Sequence, residues 1–267
     1  MSHHSKSTLS INTEALNTGG LSAIDLSASH TPSDLYSAEY FDTLYNDNSD
    51  PWHYQTRWYE KRKRDMCLAV LPKAEYVNAI ELGCGNGVFS EWLAHRCHAL
   101  LSIDGHPQAV QLAKQRLVNY PHIKVISGII PDILSTLNST TLCDDSLSNT
   151  LSPNAPLSNE LAENKSPFDL IVISEILYYL SLTDIDTVIA WIKQHIAIEG
   201  TLLCCHWRYA IDGFTMTGET VHERLQHAFN AGETLKLTHQ SQIIDSDFLL
   251  DVWQNSTKTV AMQESLV

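Results

Sequence analysis

Between residues 54 and 254 two apolar rhythms alternate along the chain. Short continuous runs of Val, Ile and Leu predict buried strands: VNAIELG (77–83), ALLSIDG (99–105), HIKVISG (122–128), FDLIVISE (168–175) and GTLLCCHW (200–207). Between them, GVFSEWLAHRC (87–97), PQAVQLAKQRLVNY (107–120) and DIDTVIAWIKQHI (184–196) repeat apolar residues at helical spacing. Pro107 stands in the first turn of its helix, where a missing N–H costs nothing. Upstream, YQTRWYEKRKRDMCLAVL (54–71) reads as a helix closed by Pro72. Strands without polar alternation, separated by helices, are covered on both faces and predict a Rossmann-like, doubly wound, mostly parallel α/β sheet. TLKLTHQSQI (234–243) and SDFLLDVWQ (246–254) follow as a closing antiparallel pair.

The rhythm lapses in three places. Residues 1–35, rich in Ser, Thr and Asn, read as a disordered leader, and 255–267 as a tail. Residues 138–166 are dominated by Ser, Asn, Thr, Leu and Pro, and read as a disordered surface insertion within one domain spanning 36–254.

Charge and cysteines narrow the partners. Seventeen basic against 31 acidic residues give a net charge of −14, spread along the chain, which argues against nucleic acid. The KRKR run at 61–64, flanked by Glu60 and Asp65, reads as a solvated helix face. Six cysteines without CxxC spacing imply reduced thiols and a cytoplasmic location. No apolar run is long enough for a membrane span, and MSHHSKSTLS is followed by no apolar segment of a signal peptide. The histidines show no zinc spacing, so no metal is expected.

The chemistry concentrates in AIELGCGNGVFSEW (79–92). Gly83, Gly85 and Gly87 form GxGxG, and Val88 stands where the dinucleotide fingerprint GxGxxG is still running. No lysine lies in the turn, so a phosphate-binding Walker loop is excluded. What remains is backbone free to adopt positive φ and approach a ligand closely. Glu81 precedes the glycines, and Asp104 ends the second strand about 20 residues on, where a carboxylate meets a ribose diol. The pattern points to a nucleoside.

ELGCGNG followed by LLSIDG resembles the glycine and acidic motifs of the class I S-adenosylmethionine-dependent methyltransferases. DPWHYQTRWYEKRK, FDLIVISEILYYL, LLCCHWR, TGETVHE and DFLLDVW, in that order, resemble the nodulation protein S-like N-methyltransferases over roughly 36–254. The resemblance implies the class I methyltransferase fold, S-adenosyl-L-methionine as cofactor and a small-molecule acceptor. It implies that Gly83, Gly85 and Gly87 line the methionine and ribose portion of the cofactor. Glu81 would orient its amino end and Asp104 would hold its ribose, with Gly105 and Ser174 beside them. Ile129 falls where such enzymes carry an adenine-side carboxylate, and Asp132 lies three residues later.

For the acceptor, the strand ends bring Glu175, Tyr178, Tyr179, His206 and Arg208 toward the methyl group, with Trp52 and Tyr54 on a lid. Glu175 would take a proton from an amine or hold its ammonium form, His206 would relay it, and one of Tyr178 and Tyr179 would face the site. His222 belongs either to the acceptor pocket or to a surface helix. An aromatic platform for a sugar would come from Trp52, Trp58 or Trp207. The resemblance implies N-methylation of a de-N-acetylated amino sugar. O-methylation of a hydroxyl or carboxyl compound, and a non-catalytic cofactor-binding protein, are the alternatives; a nicotinamide dehydrogenase would be excluded by cofactor binding.

Overall fold

The structure, a computed structural model, describes residues 38–46, 48–137, 168–230 and 237–267. The expected leader and the 138–166 insertion lie outside the described residues. Seven strands form one sheet: β1 (Ala79–Leu82), β2 (Leu100–Asp104), β3 (Ile123–Ser127), β4 (Phe168–Ser174), β5 (Ile196–Trp207), β6 (Thr238–Ile244) and β7 (Phe248–Gln254). Their order is β3-β2-β1-β4-β5-β7-β6. The first five run parallel, and β7 enters antiparallel between β5 and β6. All four residues of β1 and all seven of β7 are buried, so these segments read as apolar runs interrupted only by Glu81, Asp251 and Gln254, which are buried too. β6, at the edge, is mostly half-exposed.

The helices are α1 (Ala38–Asn46), α2 (Trp58–Ala69), α3 (Val88–Leu93), α4 (Pro107–Arg116), α5 (Leu182–His195), α6 (Gly218–Asn230) and α7 (Val260–Gln263). Ser181 caps α5 by accepting from the Asp184 N–H at 3.0 Å. Two elements depart from the sequence reading. α1 lies upstream of every element expected from periodicity, and the segment read as a tail carries α7, capped by Thr259. Among the described residues, no helix is long and apolar enough to cross a membrane.

Strand order reverses where β1 stands between β2 and β4. Carboxyl ends at such a point open a crevice, because the following connections leave to opposite faces. Both acidic strand ends and the glycine turn therefore converge there.

Candidate active site

Two adjoining clefts open at this point. The larger encloses about 670 Å³, solvent-open mouth included. Gly83, Gly85, Asp104, Gly105, Ile129, Ser174 and Glu175 all line it, as the sequence suggested. Five aromatics, Phe41, Tyr45, Trp52, Tyr54 and Tyr179, share its wall. α1 supplies the first two, so the N-terminal helix forms part of the cleft itself. The smaller cleft shares Gly83, Gly85, Ser174 and Glu175, and adds Glu81, Glu60, Lys63, Arg64 and Asn86.

The glycine turn works by conformation. Gly83, Gly85 and Gly87 have φ of +80°, +54° and +78°. Gly87 does not line either cleft, contrary to expectation. A Cβ there would stand 3.0 Å from the Ala113 Cα, so it sets the approach of the turn to α4. Asp104 is fixed by its own neighbourhood. Its Oδ2 accepts from the Gly85 N–H at 2.8 Å and its Oδ1 from the His106 N–H at 2.9 Å. Each oxygen keeps a lone pair, which suits two hydroxyl donors.

The loop before α2 is pinned to this turn. Asp50 accepts from Tyr54 N at 2.8 Å, Gln55 N at 3.1 Å and Asn86 Nδ2 at 3.2 Å. The sequence reading singles out neither Asp50 nor Asn86; their placement marks them. They hold Trp52 and Tyr54, stacked with ring centroids 5.5 Å apart, against the cleft. Of the other expected platforms, Trp58 is 69% exposed and lines neither cleft, and half-buried Trp207 packs on Tyr59 and Tyr209.

The KRKR run is corrected most sharply. Lys61 and Arg62 face outward, but Lys63 is 3% exposed and Arg64 is 6% exposed. Glu60, Lys63, Arg64 and Cys67 form one inward face of α2. Lys63 Nζ donates to Glu175 Oε1 at 2.6 Å and lies 3.1 Å from Glu60. Burial works against the Lys63 charge, but Glu175 and Glu60 together hold its pKa well above the ordinary lysine value. Glu60, Lys63 and Arg64 of this face and Glu175 across from it sum to zero charge, which is what makes their burial tolerable.

Glu175 sits at φ +61° in the turn after β4. Its Oε2 accepts from the Tyr178 hydroxyl and from the Trp207 N–H at 3.0 Å. Tyr178 therefore reaches the cleft only through Glu175, whereas Tyr179 lines it directly. His206 lines neither cleft. It is fully buried, its Nε2 accepting from Leu177 N–H and its Nδ1 3.0 Å from His222 Nε2. It is placed behind the site, not in it. His222 is likewise neither at the acceptor pocket nor on the surface, being 2% exposed. Arg208 is engaged by Glu219 and the Asp245 carbonyl, and Asp132 lines neither cleft.

The nodulation protein S (NodS) family model matches residues 39–140, the stretch that holds α1, the pinned loop and the glycine turn. A crystal structure from Pseudomonas syringae, described provisionally as a methyltransferase, is 34% identical, with 74% of this chain and 99% of that one covered and a TM-score of 0.52. The N-methyltransferase NodS of Bradyrhizobium japonicum WM9, solved with S-adenosyl-L-homocysteine, is 26% identical, covering 80% and 97%, with a TM-score of 0.59. Nodulation protein S of Sinorhizobium fredii is 27% identical over 218 residues, 78% of this chain and 84% of that protein. This chain is a class I S-adenosylmethionine-dependent methyltransferase, similar to nodulation protein S.

The residues of this NodS-like chain suit that cofactor. Asp104 offers two free lone pairs to a ribose, and Ile129 and Ile130 offer apolar contact where an adenine-side carboxylate was expected. Arg64 Nε and Nη1 are buried without a hydrogen-bond partner, and the side chain borders the smaller cleft. A carboxylate is the group that would satisfy them.

Glu81 is less available than expected. It is 2% exposed and accepts from the hydroxyls of Ser90 and, at 3.1 Å, Ser102. Burial pushes its carboxyl up to about 7 despite those bonds. The folded state thus binds this proton more tightly than the unfolded chain, and stability attributable to Glu81 declines as pH rises from the ordinary 4.5 through about 7. Glu81→Gln is expected to gain in melting temperature on the wild type across that window and to run parallel to it above. A pH-independent difference in melting temperature would contradict the assignment.

Proposed function

We propose that this methyltransferase transfers the methyl group of S-adenosylmethionine to the nitrogen of an amine on a small molecule. A de-N-acetylated amino sugar is the leading acceptor. The observation that carries the reading is Glu175, an anchored carboxylate shared by both clefts. Oε1 retains a lone pair beyond Lys63, whereas both lone pairs of Oε2 are taken. A carboxylate held by three donors suits an ammonium or amine acceptor and disfavours an anionic one. The Bradyrhizobium relative, an N-methyltransferase, supports the same reading.

The bound cofactor supplies an electrophilic methyl group on a sulfonium sulfur. Asp104 would hold its ribose, Arg64 its carboxylate, and the aromatic wall would face the cationic centre, a favourable contact of about 0.5–2 kcal/mol. In-line displacement depends on alignment, which supplies about 7–11 kcal/mol, whereas a general base adds about 10²–10⁴-fold. Glu175 serves chiefly to hold and orient the acceptor nitrogen, because its oxygens are already engaged. Stacked Trp52 and Tyr54 would offer their faces to a sugar ring.

Paired acceptors test this reading: glucosamine oligomers with a free terminal amine and their fully N-acetylated counterparts. Methylation confined to the free amine, with kcat/KM lowered by about 10–100-fold in Glu175→Gln, is expected. Equal methylation of the acetylated oligomers would overturn it. Arg64→Met is expected to weaken S-adenosylhomocysteine binding by roughly 10–100-fold, the loss of one charge-assisted pair. Unchanged affinity in calorimetric titration would remove Arg64 from the cofactor site.

A further inference from the structure

Behind the turn that carries Glu175 runs a buried chain of polar groups that the transfer reaction does not use. Leu177 N–H donates to His206 Nε2 at 3.3 Å, and His206 Nδ1 lies 3.0 Å from His222 Nε2. His222 Nδ1 meets Asp251 Oδ2, and His239 Nε2 meets Asp251 Oδ1 at 2.5 Å. The members come from β5, α6, β7 and β6. His206, His222 and Asp251 are 0%, 2% and 0% exposed, while the His239 side chain is 28% exposed. The chain therefore links the base of the acceptor-side turn to the sheet edge.

One fixed donor settles the tautomers. A backbone N–H can only donate, so His206 Nε2 carries no proton and Nδ1 does. That proton points at His222 Nε2, which must accept, leaving His222 Nδ1–H to donate to Asp251. Every nitrogen of both rings is used, and both rings are neutral. A proton added at His206 Nε2 sets donor against donor at Leu177. A proton added at His222 Nε2 can keep its bond only if His206 shifts its own proton to Nε2, with the same result. Either entry point breaks the bond to the turn.

We propose that His206 and His222 are positioning residues for the 175–179 turn, and that a proton entering this pair releases the turn. The pair is faced by Lys63 of α2, Tyr178 of the turn, Asp251 of β7 and, beyond Asp251, His239 of β6, while Cys204 of β5 lies beside Asp251 and Glu175 bonds the N–H of the adjoining Trp207. Burial, with His222 and Lys63 beside it, holds His206 well below the ordinary histidine range. Burial opposes the Asp251 charge, but its bonds from His222 and His239 bring it down to about 2, so the pair has an anion at its outer end. Release would disturb the Tyr178 and Tyr179 placements that follow Glu175. The link to acceptor turnover rests on the reading of Glu175 given above; the positioning itself does not.

Amide exchange of Leu177 in the isotopically labelled full chain tests the positioning without any acceptor, and ring-nitrogen shifts report protonation of the histidines. On lowering pH from about 8 to below the ordinary histidine range, the exchange rate corrected for its intrinsic pH dependence is expected to rise by about ten-fold or more where the pair protonates. His222→Leu is expected to show the fast exchange throughout. His222→Gln is expected to restore protection at high pH, since its oxygen accepts from His206 and its NH₂ donates to Asp251. Protonation of the pair with Leu177 unmoved would overturn the proposal, and so would a folded His222→Leu with wild-type protection. A pair that stays neutral until the chain unfolds would overturn the release step. Should His222→Leu fail to fold, the wild-type titration decides alone.

Discussion

Asp104→Ala is expected to weaken S-adenosylhomocysteine binding by about 10²–10³-fold, the value of two charge-assisted hydrogen bonds of roughly 1.5–3 kcal/mol each, partly offset by water. The substitution also strips the Gly85 and His106 N–H groups of their shared acceptor, so the glycine turn loses its anchor to β2. Asp104→Asn should lose nearly as much. An amide has one acceptor oxygen, and its NH₂ would confront one of those two backbone N–H donors. Calorimetric titration of both variants checks this. Affinity within about three-fold of wild type in either would show that the ribose is held elsewhere.

Lys63→Met is expected to destabilise the fold by about 3–5 kcal/mol, because it leaves half-buried Glu175 without its cation and buried Glu60 with only Arg64, 4.0 Å away. An exposed lysine in a solvated KRKR face would cost about 1 kcal/mol or less. Denaturant unfolding separates the two readings. Adding Glu175→Gln to the variant should recover part of the loss, since one of the two stranded charges is then removed. A loss below about 1 kcal/mol would place Lys63 on the surface in solution.

These two residues mark where sequence reasoning reached and where it stopped. The strands were readable because burial on both faces leaves no polar alternation, and Asp104 was readable because its spacing from the glycines is set by one strand–helix–strand unit. Lys63 was misread because charged residues at helical positions are solvated unless something across the interface neutralises them, and Glu175 is 112 residues away. Gly87 could not be told from Gly83 and Gly85 by type. Only the packing of Ala113 distinguishes a glycine that admits a helix from one that faces a ligand. α1 is only nine residues long; Phe41, Leu44 and Tyr45 do fall at helical spacing, but so short a repeat next to the Ser- and Asn-rich leader was passed over. The histidine chain joins four separate elements, and no local pattern could assemble it.

The fate of an isotopically labelled methyl group bears most directly on the account. With carbon-13 in the methyl of S-adenosylmethionine and a free-amine glucosamine oligomer as acceptor, the product spectrum is expected to show the label on nitrogen. A label on a hydroxyl or carboxyl oxygen would contradict it.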